Sequence, residues 1–342
     1  MTRKMRRAPE AIWQKPAGLV LAALLCLAAV GAQAETIKIG LLKTVGVSPL
    51  YLGLDKGYFA AQHLDLDFVV FDSAEPVAVA AASGAIDIGA TGLTAGFYNL
   101  AGQGALTMIA SDSFERPGYQ SQAVLVSNQA WNGGLRAFTD LPSHSVAISQ
   151  IGGAPHYSLG LLADHFGFAL SSVHVLPLQS NANRISAVAG GTADTAILPV
   201  TYATSSIQRG DAKLLGWVGD YVPWQVAGVF INTKTAKDRG DMINRFLIAF
   251  RQGAKDYHDA FSGPDERLQF GPTAAAAIAI IAKGIGQSAE DIRNSISYID
   301  PNGRIDMTDI AHQIAWYRSQ GMLKGTFGAD AVIDERYAVP MP

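Results

Sequence analysis

The chain has 342 residues, of which 49% are hydrophobic and 16% are charged, and its formal net charge is −3 at pH 7. This balance predicts a folded protein with room for two domains of ordinary size. Beyond residue 34 no basic run offers a positive surface, which argues against binding to nucleic acid or to an anionic membrane. The one cysteine, Cys26, excludes an internal disulfide and a cysteine metal site.

The first 34 residues have the composition of an export signal. A basic start that includes Arg6 and Arg7 precedes the apolar run AGLVLAALLCLAAVGA, which gives way to the tripeptide AQA ending at Ala34. The run is short for a spanning helix and an A-x-A site follows it, a pattern typical of a cleavable secretory signal. We therefore predict a signal peptide over residues 1–34, with an uncleaved membrane anchor as the alternative. Cleavage would remove Cys26 and leave an exported chain of about 300 residues.

Apolar runs alternate with helical patterns along the chain. We predict strands at 37–42, 66–71, 86–90 and 107–110, with helices at 49–62, up to about 83 and at 94–100. From residue 145 the alternation restarts, with strands predicted at 145–150, 173–178 and 193–198 and helices that begin near 155 and 182. This rhythm is typical of a mostly parallel sheet with helices on its faces. The sequence thus predicts an α/β fold of two lobes.

Two repeated sequence patterns support the prediction of two similar lobes. The turns GVSPLY at 46–51 and GGAPHY at 152–157 each close a predicted strand and open a predicted helix. Likewise, SGAIDIGATGLT at 83–94 matches GGTADTAILPVT at 190–201, with glycine, aspartate and threonine at equivalent positions. Each of these two segments combines a helix stop at glycine, a buried strand and a loop into the next helix. Two matches in the same order indicate two lobes of similar construction.

The remaining runs predict how the lobes connect. The extended runs 122–127 and 224–232 flank the second set of strands and are predicted to cross between the lobes. The predicted organisation is a first lobe from 35–121 and 226–342 and a second lobe from 122–225. The C-terminal part is predicted to be helical, because apolar residues between 243 and 261 recur every three to four positions on one face.

The paired turns mark the most promising place for a ligand. In open α/β sheets, ligands bind beyond the carboxyl ends of the strands, where unpaired N–H groups and the helix dipole favour an anion. Glycine lets the backbone approach a ligand closely, and Thr44, Ser48 and Gln150 would add side-chain donors. The alternative is that glycine and proline only shape these two turns.

A second pair of loops, 91–94 and 199–202, follows the same logic. His156 lies just inside its predicted helix and is either a donor to an anion or a solvated surface residue. Candidate counter-charges for an anion are Lys43, Arg116 and Arg184, because arginine suits a carboxylate or a sulfonate. Candidate aromatic walls for an apolar ligand body, or alternatively parts of the core between the lobes, are Trp217, Tyr221 and Trp224.

The patterns of catalytic and metal sites are absent from the sequence. It contains no H-E-x-x-H, P-loop or G-x-S-x-G motif, and its histidines have no metal-ligand spacing. Only His156 and Asp72 are candidates for the general base of an enzyme that would use the same cleft. We therefore predict no metal, no cofactor and no catalytic residue.

The segments that organise the chain resemble a known family. IKIGLLKTVGVSPLYLGLDKGYF, SGAIDIGATG and SVAISQIGGAPHYSLGLLADHFGF are similar to sequences of the alkanesulfonate, taurine and nitrate group of periplasmic solute-binding proteins, within the thiamine-pyrimidine-precursor-like superfamily. The resemblance covers nearly all of the chain beyond residue 34. It implies a type II periplasmic-binding-protein fold, in which two α/β lobes joined by two crossings close on a small molecule and present it to an ABC importer.

The resemblance also implies which residues hold the ligand. They lie in loops of both lobes and are Thr44, Gly46, Ser48, Tyr51, Thr91, Gly92, Gln150, Gly153, Ala154, His156, Pro199 and Thr201. To these we add Trp224 as an aromatic wall. The eukaryotic pyrimidine synthases of this superfamily carry a cysteine-rich motif that the exported chain lacks, which argues against that enzymatic branch.

The sequence therefore predicts a periplasmic, monomeric binding protein and not an enzyme. We expect its ligand to be a small organic anion, namely a sulfonate, a taurine-like molecule or an aromatic or aliphatic carboxylate. We expect its partner to be an ABC transporter permease in the inner membrane. Three alternatives remain open: a pyrimidine or other heterocycle as ligand, an enzyme of the pyrimidine-precursor synthase branch, and a sensor that reports to a signalling partner.

Overall fold

The computed structural model describes residues 1, 2, 5 and 34–342. Nearly all of the predicted signal peptide, including Cys26, lies outside the described residues. Residues 35–342 form one compact unit in which strands and helices alternate, as the sequence predicts. The strands β1 to β12 are, in chain order, Glu35–Leu41, Leu64–Val70, Ile88–Gly92, Leu106–Ser111, Phe114–Glu115, Gln122–Ser127, Ser145–Ile148, His174–Pro177, Thr195–Pro199, Ala212–Trp217, Trp224–Gln225 and Ala227–Asn232.

Helices connect most of these strands and form the C-terminal part of the chain. The helices α1 to α13 are, in chain order, Ser48–Asp55, Tyr58–Ala61, Ala74–Ser83, Ala95–Gly102, Asn128–Asn132, Ala154–Phe166, Asn181–Ala189, Val200–Gln208, Thr233–Asp238, Gly240–Phe261, Ala274–Ile285, Ala289–Arg293 and Met307–Ser319. Among the residues that the structure describes, no helix has both the length and the apolar character to cross a bilayer.

The strands form two five-stranded sheets with the same construction, each of which defines one lobe. The first sheet has the order β2-β1-β3-β12-β4 and the second has the order β8-β7-β9-β6-β10. In each sheet four strands run in one direction, and the fourth strand in the order, β12 or β6, runs against them. The prediction of two mostly parallel sheets flanked by helices is confirmed, whereas the exact bounds of the two lobes in the chain stay a prediction.

The crossings between the lobes lie beside the segments predicted for them. The run at 122–127 is an interior strand of the second sheet, and 227–232 is an interior strand of the first. The chain crosses instead at β5 and β11, which pair antiparallel with Glu115 opposite Trp224. The prediction for 122–127 is therefore wrong. The antiparallel strands β6 and β12 follow the crossing strands β5 and β11 without a helix between them. In the sequence, a crossing and the strand after it are therefore hard to tell apart.

The long helix α10 packs into the core of the first lobe against α1. The predicted apolar face is fully buried, including Ile243, Phe246 and Phe250, and burial of each such side chain contributes roughly 2 kcal/mol. Gly253 allows α10 to approach α1, because a Cβ there would lie 2.2 Å from the carbonyl oxygen of Pro49. This packing holds the start of α1, and with it the loop after β1, in place.

Candidate ligand-binding site

A cavity of about 130 Å³ lies between the two lobes, where the carboxyl ends of their parallel strands face each other. Its volume corresponds to roughly ten water molecules, which suits a small organic molecule. The wall consists of the loops that follow β1 to β4 in the first lobe and β7, β8 and β9 in the second, together with residues next to the crossings. This is where open α/β sheets bind ligands.

Helix N-termini from both lobes reach the cavity wall. In the second lobe Ala154, Asn181 and Val200 line the cavity and are the first residues of α6, α7 and α8. In the first lobe Ala74 begins α3, and Thr94 caps α4 by accepting a hydrogen bond from Phe97 N at 2.9 Å. Each first turn leaves backbone N–H groups without intrahelical partners and carries the positive end of the helix dipole. The arrangement therefore favours a negatively charged group in the cavity.

The two repeated turns differ in how they meet the cavity. In the second lobe α6 begins at the wall itself, with Gly153 as its N-cap and Pro155 in its first turn. In the first lobe a short 3-10 helix, Val45–Val47, separates β1 from α1, so that residues before α1 line the cavity. The two turns of similar sequence therefore occupy equivalent positions in the two lobes, but only the second turn presents its α-helix directly to the cavity.

Arg184 supplies the buried positive charge of the cavity wall. Arg184 lies in α7 and is 4% exposed. Its guanidinium donates hydrogen bonds to the carbonyl oxygen of Ile197 in β9 and to Asn181 Oδ1. Its Nε is buried and has no hydrogen-bond partner within the described residues. Burial lowers the pKa of Arg184 to about 10, so that the guanidinium is still charged at neutral pH.

Asp112 places a carboxyl group on the wall contributed by the first lobe. It directly follows β4, is 2% exposed, and its Oδ1 has no hydrogen-bond partner among the described residues. Burial raises the pKa of Asp112 to about 7, although the Ser113 hydroxyl acts in the opposite direction. Asp72, which is exposed, lines the same cavity from the loop after β2. The first-lobe wall is therefore acidic where the second-lobe wall carries Arg184.

The lobes touch each other on both sides of the cavity. On one side Ala95 N donates to the carbonyl oxygen of Gly152 at 2.8 Å, next to the N-terminus of α4. On the other side the Ser205 hydroxyl donates to Asp291 Oδ1 at 3.2 Å, which joins α8 to α12. These contacts join the two lobes next to the cavity.

Nine of the thirteen predicted ligand-binding residues line this cavity. They come from both lobes and are Thr44, Gly46, Thr91, Gly92, Gln150, Gly153, Ala154, Pro199 and Thr201. Thr201 is 2% exposed and its Oγ1 has no hydrogen-bond partner in the part of the chain that the structure describes. The structure thus brings these nine residues together, and their contact with a ligand stays a prediction.

The other four predicted residues lie behind the wall. The Ser48 hydroxyl donates to the carbonyl oxygen of Val45, and Tyr51 packs edge-on against Phe68 in the core of the first lobe. The remaining two are His156, in the first turn of α6, and Trp224, in the crossing strand β11.

His156 and Trp224 belong to the packing between the lobes. His156 Nδ1 accepts a hydrogen bond from Gly152 N at 3.2 Å, and its ring meets Trp316 edge-on. Burial lowers the pKa of His156 to about 4, so that the ring is neutral at physiological pH. Trp224 packs edge-on against Tyr157 with their ring centroids 4.8 Å apart. These side chains support the loops around the cavity instead of forming its surface.

Of the three candidate counter-charges, only Arg184 lies in the cavity wall. The Arg116 guanidinium covers the ring of Tyr298 at 3.7 Å, and Lys43 is exposed. The lining residues that we did not predict include Ser73, Asp112, Ser113, Ser121, Gln122, Ser149, Asn181 and Ser297. Four of them, Ser73, Asp112, Ser113 and Asn181, follow the strands β2, β4 and β8, and applying the same rule to these strands would have found them.

A second buried carboxyl, Glu115, lies in the crossing strand β5. It is 1% exposed, and neither of its side-chain oxygens has a well-formed hydrogen bond within the described residues. Burial raises the pKa of Glu115 to about 8. Gln122 and the backbone of Gly219 lower this pKa, whereas the negative charge of nearby Asp220 raises it. With a pKa near 8, the carboxyl group of Glu115 is mostly protonated at neutral pH.

Comparison with solved structures identifies the fold. The alkanesulfonate-binding protein SsuA from Xanthomonas axonopodis pv. citri, bound to MOPS, superimposes with a TM-score of 0.70 at 18% identity, over 88% of this chain and 99% of that one. The periplasmic nitrate-binding protein NrtA from Synechocystis gives 0.66 at 12% identity, over 88% and 85%. The desulfurization enzyme DSZB gives 0.62 at 12% identity, over 90% and 96%. The predicted two-lobed periplasmic-binding-protein fold is thereby confirmed.

Comparison of sequences identifies the family. No curated protein matches the chain. The family model described as NMT1/THI5 like matches residues 45–266, a range that includes β2 to β12 and every loop of the cavity wall except Leu42, Thr44 and Ser297. Because this match covers more than half of the chain, the protein belongs to the NMT1/THI5-like family.

Proposed function

We propose that this protein is the substrate-binding component of an ABC-type importer and that it captures a small organic anion between its two lobes. The observation that carries this proposal is the buried guanidinium of Arg184 in the wall of the cavity between the lobes. A guanidinium in a wall that also contains the first residues of the three helices α6, α7 and α8 suits a carboxylate or a sulfonate. The size of the cavity suits an organic anion better than nitrate, which has only four atoms.

The relatives in structure support the same role. SsuA is named as an alkanesulfonate-binding protein and NrtA as a periplasmic nitrate-binding protein, so that both bind anions. We propose that this chain likewise acts in the periplasm, as a monomer, after removal of residues 1–34. Closure of the lobes around the ligand would create the surface that the membrane permease recognises.

An enzymatic role is the competing proposal, because DSZB is an enzyme with a similar fold. Among the described residues the titratable side chains of the cavity wall are Asp72, Asp112 and Arg184. His156, the base considered from sequence, is buried behind the wall and accepts a hydrogen bond from Gly152 N. We therefore propose binding without turnover, in which a ligand incubated with the protein is recovered unchanged.

The test is calorimetry on the purified chain beginning at residue 35, with ethanesulfonate, taurine, propionate, benzoate and nitrate as ligands. We expect at least one organic anion to bind, and Arg184→Gln to weaken it by about a hundredfold because a charged hydrogen bond is lost. Arg184→Lys keeps the charge and should lose less. The matched control is Arg267→Gln, since Arg267 is an exposed arginine whose side chain is 85% accessible.

Two results would contradict the proposal. One is that none of the anions binds while an uncharged heterocycle does, which would favour the pyrimidine-type alternative. The other is conversion of a bound ligand into a new product, detected by mass spectrometry, which would favour an enzyme. Circular dichroism of each variant without ligand distinguishes loss of affinity from loss of the fold.

A further inference from the structure

Glu115 lies where the first crossing meets the second lobe. It belongs to β5, and a Cβ on Gly219, which follows β10 of the second sheet, would lie 2.8 Å from Glu115 Oε2. The backbone and the side chain of Gln122, the first residue of β6, lie beside the same carboxyl group. Buried polar groups are nearly always paired in native proteins, so that this carboxyl group, which lacks a well-formed hydrogen bond within the described residues, points to a role beyond packing.

Gln122 connects Glu115 to the cavity. It lines the cavity wall and is 5% exposed. Its Nε2 donates a hydrogen bond to Ser158 Oγ in α6 at 3.2 Å. A glutamine amide carries a second N–H and a carbonyl oxygen, so that Gln122 can bond to Glu115 or to a ligand in addition to Ser158. The carboxyl group in the crossing is thus one side chain away from the binding site.

The protonation state of Glu115 decides which atom of the Gln122 amide faces it. An ionised carboxylate only accepts hydrogen bonds, so that it attracts an N–H of Gln122. A protonated carboxyl group can donate its O–H to the amide oxygen of Gln122, which leaves an N–H for an anion in the cavity. Ionisation of Glu115 also places a negative charge behind the wall. Both effects weaken the binding of an anion.

We propose that Glu115 is a positioning residue that acts through Gln122, and that it makes the anion affinity of the cavity depend on pH. This inference rests on the proposed function and adds a form of regulation to the same site. Because its pKa is about 8, Glu115 changes its protonation state in the mildly alkaline range. The protein would therefore hold an anion more tightly at neutral pH than at alkaline pH.

The charged groups around Glu115 lie on few elements. Asp220 faces it from the 3-10 helix Val218–Asp220 and disfavours its ionisation. The strands β6 and β11 contain no charged residue. Arg116, the next residue in the chain, places its guanidinium over an aromatic ring. Asp309 accepts a hydrogen bond from the backbone of β11 and has a pKa of about 6, so that it is ionised throughout the alkaline range in which Glu115 titrates.

The test is calorimetry with ethanesulfonate and propionate, which remain ionised, at pH 7.5 and pH 9. We expect the affinity of the unmodified chain to fall about fivefold between these values, because Glu115 passes from mostly protonated to mostly ionised. Asp112, with a pKa of about 7, is mostly ionised at both values. Binding at pH 8.5 should also take up part of a proton, which calorimetry in buffers of different ionisation enthalpy detects.

Two variants separate positioning from simple repulsion of charges. Glu115→Gln cannot ionise, so that its affinity at pH 9 should equal its affinity at pH 7.5. Gln122→Met has no amide, so that it should bind about tenfold more weakly at pH 7.5, the size of one charged hydrogen bond, and should lose the dependence on pH. The matched controls are Glu335→Gln and Gln129→Met, which change exposed residues outside the cavity wall and should leave both properties unchanged.

Equal affinities of the unmodified chain at the two pH values would overturn the inference, while the proposed function would stand without this refinement. If Gln122→Met keeps the fall in affinity, Glu115 acts by its charge alone and not through Gln122. If Glu115→Gln keeps the fall, another group is responsible. If neither anion binds at either pH, the proposed function fails together with the inference.

Circular dichroism at both pH values identifies any variant that does not fold. If Glu115→Gln does not fold, the unmodified chain and Gln122→Met still decide the question, because the inference requires a fall in affinity in the first and none in the second.

Discussion

The backbone N–H of Ala95 in the first lobe donates a hydrogen bond of 2.8 Å to the carbonyl oxygen of Gly152 in the second. This bond ties the start of α4 to the loop before α6, beside the cavity, and so links closure of the lobes to the shape of the binding site. Gly152 has a φ of +75°, and a Cβ there would lie 2.9 Å from the Cβ of Ala95. Its replacement therefore tests closure.

We predict that Gly152→Ala weakens ligand binding by about tenfold, because the added methyl group separates the lobes where they meet. Gly167→Ala is the matched control: Gly167 has the same φ of +75° at the other end of α6, with no atom within 4 Å of its missing Cβ. Both variants should lose about 1 kcal/mol of stability from left-handed backbone strain. Calorimetry and urea unfolding measure the two effects, and equal affinities in the two variants would contradict the prediction.

A second prediction compares two hydroxyl residues, one expected to act on affinity and the other on stability. Thr201→Val removes an unpaired Oγ1 in the cavity wall, so that it should lower affinity without lowering the free energy of unfolding. Ser48→Ala removes a buried hydrogen bond to Val45 and should cost about 1 kcal/mol of stability with unchanged affinity. Thermal unfolding and calorimetry on both variants provide the check. The prediction is wrong if Ser48→Ala loses affinity as Thr201→Val does.

The third prediction concerns stability against pH. Glu115 has its pKa raised by burial to about 8 from 4.5 in the unfolded chain, so that the folded state holds a proton that the unfolded state has lost. The contribution of Glu115 to the free energy of unfolding is therefore fully present below pH 4.5. It is lost as pH rises towards 8, by up to about 1.4 kcal/mol per pH unit.

Glu115→Gln, which cannot ionise, should flatten this fall and be more stable than the unmodified chain at pH 8.5. Urea unfolding from pH 5 to 8.5 measures how the free energy of unfolding changes with pH. Glu335→Gln changes an exposed carboxyl group and should leave the pH profile unchanged. A profile for Glu115→Gln that is as steep as that of the original chain would show that Glu115 is not the group responsible.

The fourth prediction uses the pKa of Asp112, which burial raises to about 7. Ethanesulfonate binding should tighten as pH falls from 8 to 6, because protonation of Asp112 removes a negative charge from the cavity that Arg184 and Asp72 also line. Calorimetry at pH 6 and pH 8 measures the change. Equal affinities at the two pH values would contradict this prediction.

Much of the site could be located from sequence, because strand ends and helix starts are local features. The glycine and proline of the turns at 46–51 and 152–157 indicate where strands end, and parallel strands bring their carboxyl ends to one edge. Thr44, Gly46, Gly153 and Thr201 therefore line the cavity as a local rule predicts. The repeat in sequence likewise corresponds to two sheets of the same strand order.

The direction of individual side chains could not be read in this way. Ser48 and His156 lie as close in sequence to the cavity as Thr44 and Ala154, but their side chains turn into the protein. That direction depends on how α1 and α6 are rotated against α10 and Trp316, which no short stretch of sequence contains. The same holds for the choice of Arg184 over Arg116, which covers Tyr298 instead.

The sequence by itself determined the α/β alternation, the duplication and the loops that carry the site, since these follow from hydrophobic period and turn chemistry within a few residues. Only the tertiary structure decided which charges share the cavity. Asp112 and Arg184 are 72 positions apart in the sequence and belong to different sheets, and their placement on opposite walls depends on how the two lobes pack against each other.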